Sequence, residues 1–263
     1  MHGLGNDFII FDNINDPVIH EAEFIKKIGN RRFGIGCDQI MIIENTEKKE
    51  NFRVRIYNSN GIEVGSCGNG SRCVADYLMK RDNLFSLNIE TISGDLCCTK
   101  EQEIITVNMG EPKFEWKDIP LSKKQNTQKV LLDEFEAFCL SMGNPHAVIF
   151  VQNLDELESL DLNSIGPRLE KNTNFPEFSN IEFACVLENK AIRMRVWERG
   201  VGITLACGTG ACATLVAASL LNKSTKENKV IVDGGDLFIK WHSNGTVTLS
   251  GNTEKVFEGI IGN

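Results

Sequence analysis

The 263-residue sequence is short of the residues that mark several functional classes. It has four histidines, scattered along the chain, and no two cysteines in C-x-x-C spacing. A zinc site built from clustered ligands is therefore not expected, nor any other bound metal. There is no G-x-x-x-x-G-K-[ST] phosphate loop, and the pair Gly34 and Gly36 alone is a weak dinucleotide signal. The formal charge is −8, from 28 Lys and Arg against 36 Asp and Glu, and no long basic run occurs, which argues against nucleic acid as a partner. The opening MHGLGNDF has neither a charged region nor an apolar block, so no signal peptide is expected. The longest stretch without a charge, 200–222, holds four glycines and three threonines and no sustained Leu/Ile/Val block. It reads as a loop leading into a buried helix, not as a membrane span.

What the chain does have is ordinary globular composition, 41% hydrophobic and 24% charged, in a length that suits about two domains. It also has nine cysteines. With no secretion signal these read as reduced thiols in the cytoplasm.

The chain repeats itself at about half its length. Phe52-Arg-Val-Arg-Ile-Tyr57 matches Ile192-Arg-Met-Arg-Val-Trp197, and Cys67-Gly-Asn-Gly70 matches Cys207-Gly-Thr-Gly210. Gly94-Asp-Leu96 matches Gly235-Asp-Leu237, and Gly5-Asn-Asp-Phe8 resembles Gly143-Asn-Pro-His146. Alternation predicts strands over 53–57 and 193–197, with further strands over 8–11, 148–151, 104–108 and 246–249. Helices are expected over 21–28, ended by Gly29, and after each C-G-x-G, over 71–81 and 211–221. The last is apolar nearly all round and so reads as central and buried. The mixed segment 112–130 falls near the middle and reads as the boundary. The expected fold is α+β (mixed α/β): two pseudo-symmetric halves, each a strand-rich layer wrapped around a central helix, with the active site in the cleft between them. The first half is 1–115, with 252–263 returning to pack on it; the second is 116–251.

Each C-G-x-G loop places a cysteine just before a helix. The glycines permit close backbone approach, and the helix start offers unpaired N–H groups and a positive dipole end. Such a site binds an anion, including a substrate carboxylate, and lowers a thiol from its usual value of about 8.5. Two such half-sites would place two thiols on opposite faces of one carbon, one removing a proton and the other returning one, which inverts a stereocentre. Cys37, Cys73, Cys97, Cys98, Cys139, Cys185 and Cys212 read as small buried hydrophobes instead. A Cys–His hydrolase using His146 would leave the second cysteine loop unexplained. A phosphatase-like loop wants Cys and Arg six apart, whereas Arg72 follows Cys67 by five.

Over essentially its whole length the sequence resembles the diaminopimelate epimerases. The resemblance rests on MHGLGNDF, on Asn58-Ser-Asn-Gly-Ile-Glu-Val64 followed by Cys67-Gly-Asn-Gly70, on Gly143-Asn-Pro-His146, and on Glu198-Arg-Gly-Val-Gly202 leading to Ala206-Cys-Gly-Thr-Gly-Ala-Cys212. It implies two pseudo-symmetric halves, no cofactor, and a thiolate–thiol pair that interconverts LL- and meso-diaminopimelate on the bacterial route to lysine and peptidoglycan. It implies a homodimer as well. By this resemblance Cys67 and Cys207 are the acid/base pair, assisted by His146 and Glu198. Gly68, Asn69, Gly208 and Thr209 match the loops that hold the reacting carboxylate. Asn6, Gln39, Asn58, Asn144, Asn180 and Arg199 match the rest of the substrate shell, with Arg199 suited to a distal carboxylate. The chain departs from the family's usual pattern at Asn60 and Ile203, where Asp and Glu are common. The readings that compete are another cofactor-independent racemase of the proline or hydroxyproline type, and a non-catalytic amino-acid-binding relative.

Overall fold

The computed structural model describes residues 1–14, 21–48, 51–65 and 67–261. The chain divides into two compact units, 1–108 with 250–263, and 109–249.

Unit 1 contains β1 (His2–Gly3), β2 (Asn6–Asp12), α1 (Ala22–Gly29), β3 (Gln39–Glu44), β4 (Asn51–Asn58), β5 (Glu63–Val64), α2 (Gly68–Asp82), β6 (Ser86–Thr91), β7 (Gly94–Glu101) and β8 (Ile104–Asn108). β2 and β3 are parallel, β4 runs antiparallel to β3 and parallel to β6, and β6, β7 and β8 form an antiparallel meander. The strands wrap α2, which touches β1, β2, β3, β6, β7 and β8. Val74, Ala75 and Leu78 are fully buried there. The chain returns late to this unit, where Glu254 bridges the backbone of His2.

Unit 2 contains β9 (Val130–Leu132), β10 (Phe135–Ser141), β11 (Pro145–Phe150), α3 (Leu154–Ser159), α4 (Leu162–Glu170), β12 (Asn180–Val186), β13 (Ile192–Glu198), β14 (Gly202–Ile203), α5 (Gly208–Leu220), β15 (Glu227–Val232) and β16 (Gly235–Trp241). β17 (Val247–Gly251) carries the chain back across the division. The pairings of unit 1 recur in the same order: β11 parallel to β12, β13 antiparallel to β12, β13 parallel to β15, β15 antiparallel to β16. The β11–β12–β13 layer has two differently filled faces, as strand alternation requires. Ala147, Ile149, Ile181, Phe183 and Cys185 enter a core closed by Leu157 of α3 and Leu169 of α4. The alternate residues face α5, where the Thr214 hydroxyl donates to the Met194 sulfur at 3.1 Å.

Several expectations shift. α2 and α5 begin at Gly68 and Gly208, three residues earlier than the periodicity indicates, so that each follows its cysteine directly. The division falls at 108/109 and 249/250 instead of 115/116 and 251/252. The segment 112–130, read as the boundary, lies wholly in unit 2: Ile119 and Leu121 are buried in its core, and Trp116 packs on it. Cys97 is exposed, contrary to its reading as a core residue, because it points outward from β7 while its neighbour Cys98 points in. Cys37, Cys73, Cys139, Cys185 and Cys212 are buried.

Candidate active site

Both cysteines of the repeated loops cap helices. Cys67 is extended (φ −152°, ψ 108°), and its Sγ accepts the Gly70 N–H at 3.3 Å. Cys207 does the same (φ −120°, ψ 110°), its Sγ accepting from Gly210 N at 3.4 Å. A sulfur thus stands where Ser or Asp oxygens ordinarily cap a helix. Gly68–Asn69 and Gly208–Thr209 form the first turns, whose N–H groups have no intrahelical acceptor. Neither first turn carries an acidic side chain. Both helix ends therefore favour an anion, by about 0.3–1 kcal/mol per helix when exposed.

In unit 1 the expected polar residues form two linked pairs. Asn69, almost fully buried, donates to Asn6 Oδ1 at 3.3 Å and accepts from the Arg72 guanidinium at 3.0 Å. Asn6 in turn donates to Asp38 at 2.8 Å. Gln39 opens β3 directly opposite Asn58 at the end of β4, and its Nε2 donates to Asn58 Oδ1 at 2.9 Å. Asn60 closes the following turn by accepting from Ile62 N at 3.0 Å, work an aspartate does equally well.

Unit 2 brings more of the expected residues together. Fully buried His146 contacts Asn144 Oδ1 through Nε2 at 3.0 Å. Asn144 Nδ2 donates to Thr209 Oγ1 at 3.4 Å, and that hydroxyl lies 3.5 Å from Cys207 Sγ. Glu198, at the end of β13, accepts from the Thr204 hydroxyl and acts electrostatically on the Cys207 thiol. Ile203 faces outward on β14, so its departure from the usual glutamate leaves this cluster intact. Asn180 is buried, and its amide is tied to backbone, donating to Pro145 O and accepting from Arg199 N, both at 2.9 Å. Arg199 is exposed, and its guanidinium donates to the Glu177 carbonyl at 3.2 Å.

The electrostatics of this second half-site are strong. Burial pushes the Cys207 thiol well above the usual range, and the carboxyls of Glu198 and Glu182 push it the same way. The hydrogen bonds from Thr209 and Gly210 only partly oppose them. Burial also raises Glu198. Burial and the two carboxyls thus favour the protonated form of Cys207.

Glu182 is the residue that the sequence reading missed. It is fully buried on the α5 side of β12, and its Oε1 meets His146 Nδ1 at 2.7 Å. The available signal was one carboxylate in the apolar run Ile181-Glu-Phe-Ala-Cys-Val186, since a buried carboxylate needs a partner.

A family model described as diaminopimelate epimerase matches residues 1–115 and 138–256. Among curated proteins the chain is 42% identical, over 266 residues, to a diaminopimelate epimerase of Rhodospirillum centenum, covering 99% of this chain and 90% of that one. It is 41% identical over 274 residues to one from Acetivibrio thermocellus, covering 99% and 96%. A solved structure of a PhzF-family phenazine biosynthesis protein from Bacillus anthracis superposes with a TM-score of 0.65 at 18% identity, covering 96% of this chain and 92% of that one. That likeness is one of fold: a mixed α/β architecture built of two pseudo-symmetric halves.

Proposed function

The chain belongs to the diaminopimelate epimerase family, and on that footing we propose that Cys67 and Cys207 are the two bases of its reaction. The enzyme is an isomerase that converts LL- to meso-diaminopimelate, a step toward lysine and peptidoglycan precursors. The Cys67 thiolate takes the α-proton and becomes a thiol. The Cys207 thiol gives its proton to the opposite face of the same carbon and becomes a thiolate, so atoms and charge balance and the configuration inverts. In the reverse direction the roles exchange.

The carbanion's charge spreads into the substrate carboxylate, which the N–H groups at Gly68, Asn69, Gly208 and Thr209 hold. Donors aimed at such developing charge are worth about 2.7–4 kcal/mol each. His146 and Glu198 assist the two thiols. Asn6, Gln39, Asn58 and Asn144 line the substrate shell, and Arg199 clamps the distal carboxylate through its planar fork. Asn180 serves by holding the Arg199 backbone. The observation that carries this reading is the repeated one: each unit caps its Gly-rich central helix with a cysteine.

Cys67→Ser and Cys207→Ser should each lower kcat/KM for LL-diaminopimelate by about 10²–10⁴-fold. Activity in either variant within about tenfold of wild type would remove that thiol from the chemistry. The same reading has the protein in the cytoplasm as a homodimer. Among the described residues no helix is long and apolar enough to cross a membrane. The dimer is checked by light scattering, which should give twice the 29.3 kDa of one chain.

A further inference from the structure

The two half-sites share a backbone but not a chemistry. In unit 1 Phe8 pairs in register with Gln39, and Met41 follows two residues on. In unit 2 His146 pairs in register with Asn180, and Glu182 follows two residues on. The first-turn glycine confirms the match. A Cβ on Gly70 would strike the Met41 side chain and touch Phe8, whereas a Cβ on Gly210 would lie 2.7 Å from Glu182 Oε1 and 3.2 Å from Cys207 Sγ. The space left by the missing Gly210 side chain thus lets a buried carboxyl come up under the capping thiol. Glu182 Oε2 has no hydrogen-bond partner among the described residues, so His146 alone answers this carboxyl.

The geometry points to Glu182 as a positioning residue for the reaction proposed above: packed under the first turn of α5 and bonded to His146, it keeps the proton on Cys207, while the matching place in unit 1 holds Met41. The duplicated enzyme is thereby given a resting acid on one side. The groups that face this thiol and its neighbouring carboxyl are His146 from β11 and Glu198 from β13, while Cys139 of β10 lies across the sheet in the opposite core. The carboxyl's field opposes the helix end, which favours the thiolate. It acts through a buried interior that screens charge less than water does.

The test is Glu182→Gln, which keeps the shape and a hydrogen bond to His146 but removes the charge. Alkylation by iodoacetamide is followed against pH at Cys67 and Cys207 of the same molecule by peptide mass. The Cys207 midpoint should fall by about one pH unit or more while the Cys67 midpoint stays. The limb of the kcat/KM profile that Cys207 controls should move the same way. A Cys207 midpoint that stays or rises, or two midpoints that move together, would overturn the assignment. Should Glu182→Gln fail to fold, Glu182→Met installs the residue that unit 1 carries at this place and is read identically. This inference rests on the two-thiol reading but fails separately from it. If wild type does not epimerise diaminopimelate, that reading fails, while the thiol titration still decides what Glu182 does.

Discussion

Burial acts on the cysteines one residue at a time. Desolvation pushes the thiols of Cys37, Cys73 and Cys98 up to about 12, against about 8.5 in an unfolded chain. Each therefore binds its proton more tightly in the folded state, so this part of the stability is complete below about pH 8.5 and is lost as pH rises toward 12. The urea midpoint should hold to about pH 8 and then fall, and Cys73→Ala with Cys98→Ala should make the fall shallower. A midpoint independent of pH between 8 and 11 would show that these thiols are not desolvated. The pairing of Cys67 with Cys207 was legible in the sequence because the same glycine context surrounds both. Glu182 was not, because the repeat breaks where it matters: Phe8 and Met41 in one unit answer to His146 and Glu182 in the other. Asn180 had only its resemblance to suggest a role, since an amide that ties two backbone groups looks in sequence like any strand-end asparagine.

At the level of elements, α4 shows what close packing adds to the frame that holds the site. It carries Pro167 inside the helix, and Gly166 lies flat against Trp197 of β13. A Cβ on Gly166 would come 2.3 Å from the indole ring, a rigid neighbour whose Nε1 is already bonded to Glu170 at 2.8 Å. Gly166→Ala should therefore lower the free energy of unfolding by about 1–3 kcal/mol from overpacking. The gain in helix propensity, about 1 kcal/mol, offsets only part of this. Urea unfolding followed by tryptophan fluorescence reads the change, and a more stable variant would show that the helix has room to shift. Neither α3 nor α4 was legible, the one being only six residues long and the other interrupted by glycine and proline. β3 and β12 were missed for another cause. Layered on both faces, they show runs of apolar residues such as Ile40-Met-Ile-Ile43, without the alternation that marked β4 and β13. Of the central helices, α5 was legible because it lacks charge on every side, and α2 because Val74, Tyr77 and Leu78 recur at helical spacing.

For the whole molecule, the repeat supplies two helix ends, each capped by a cysteine, and the residues beneath them differ, Met41 in one unit and Glu182 in the other. In either direction one sulfur starts as the thiolate and the other as the thiol, and the two states exchange when the configuration inverts. The most direct measurement is solvent exchange in ²H₂O with LL-diaminopimelate, reduced wild-type enzyme and Cys207→Ala, without added pyridoxal phosphate. Wild type should yield meso-diaminopimelate carrying deuterium at the inverted carbon, and the variant should yield none. Inversion without deuterium, inversion by the variant, or no exchange by fresh reduced wild type would contradict epimerisation by two opposed thiols.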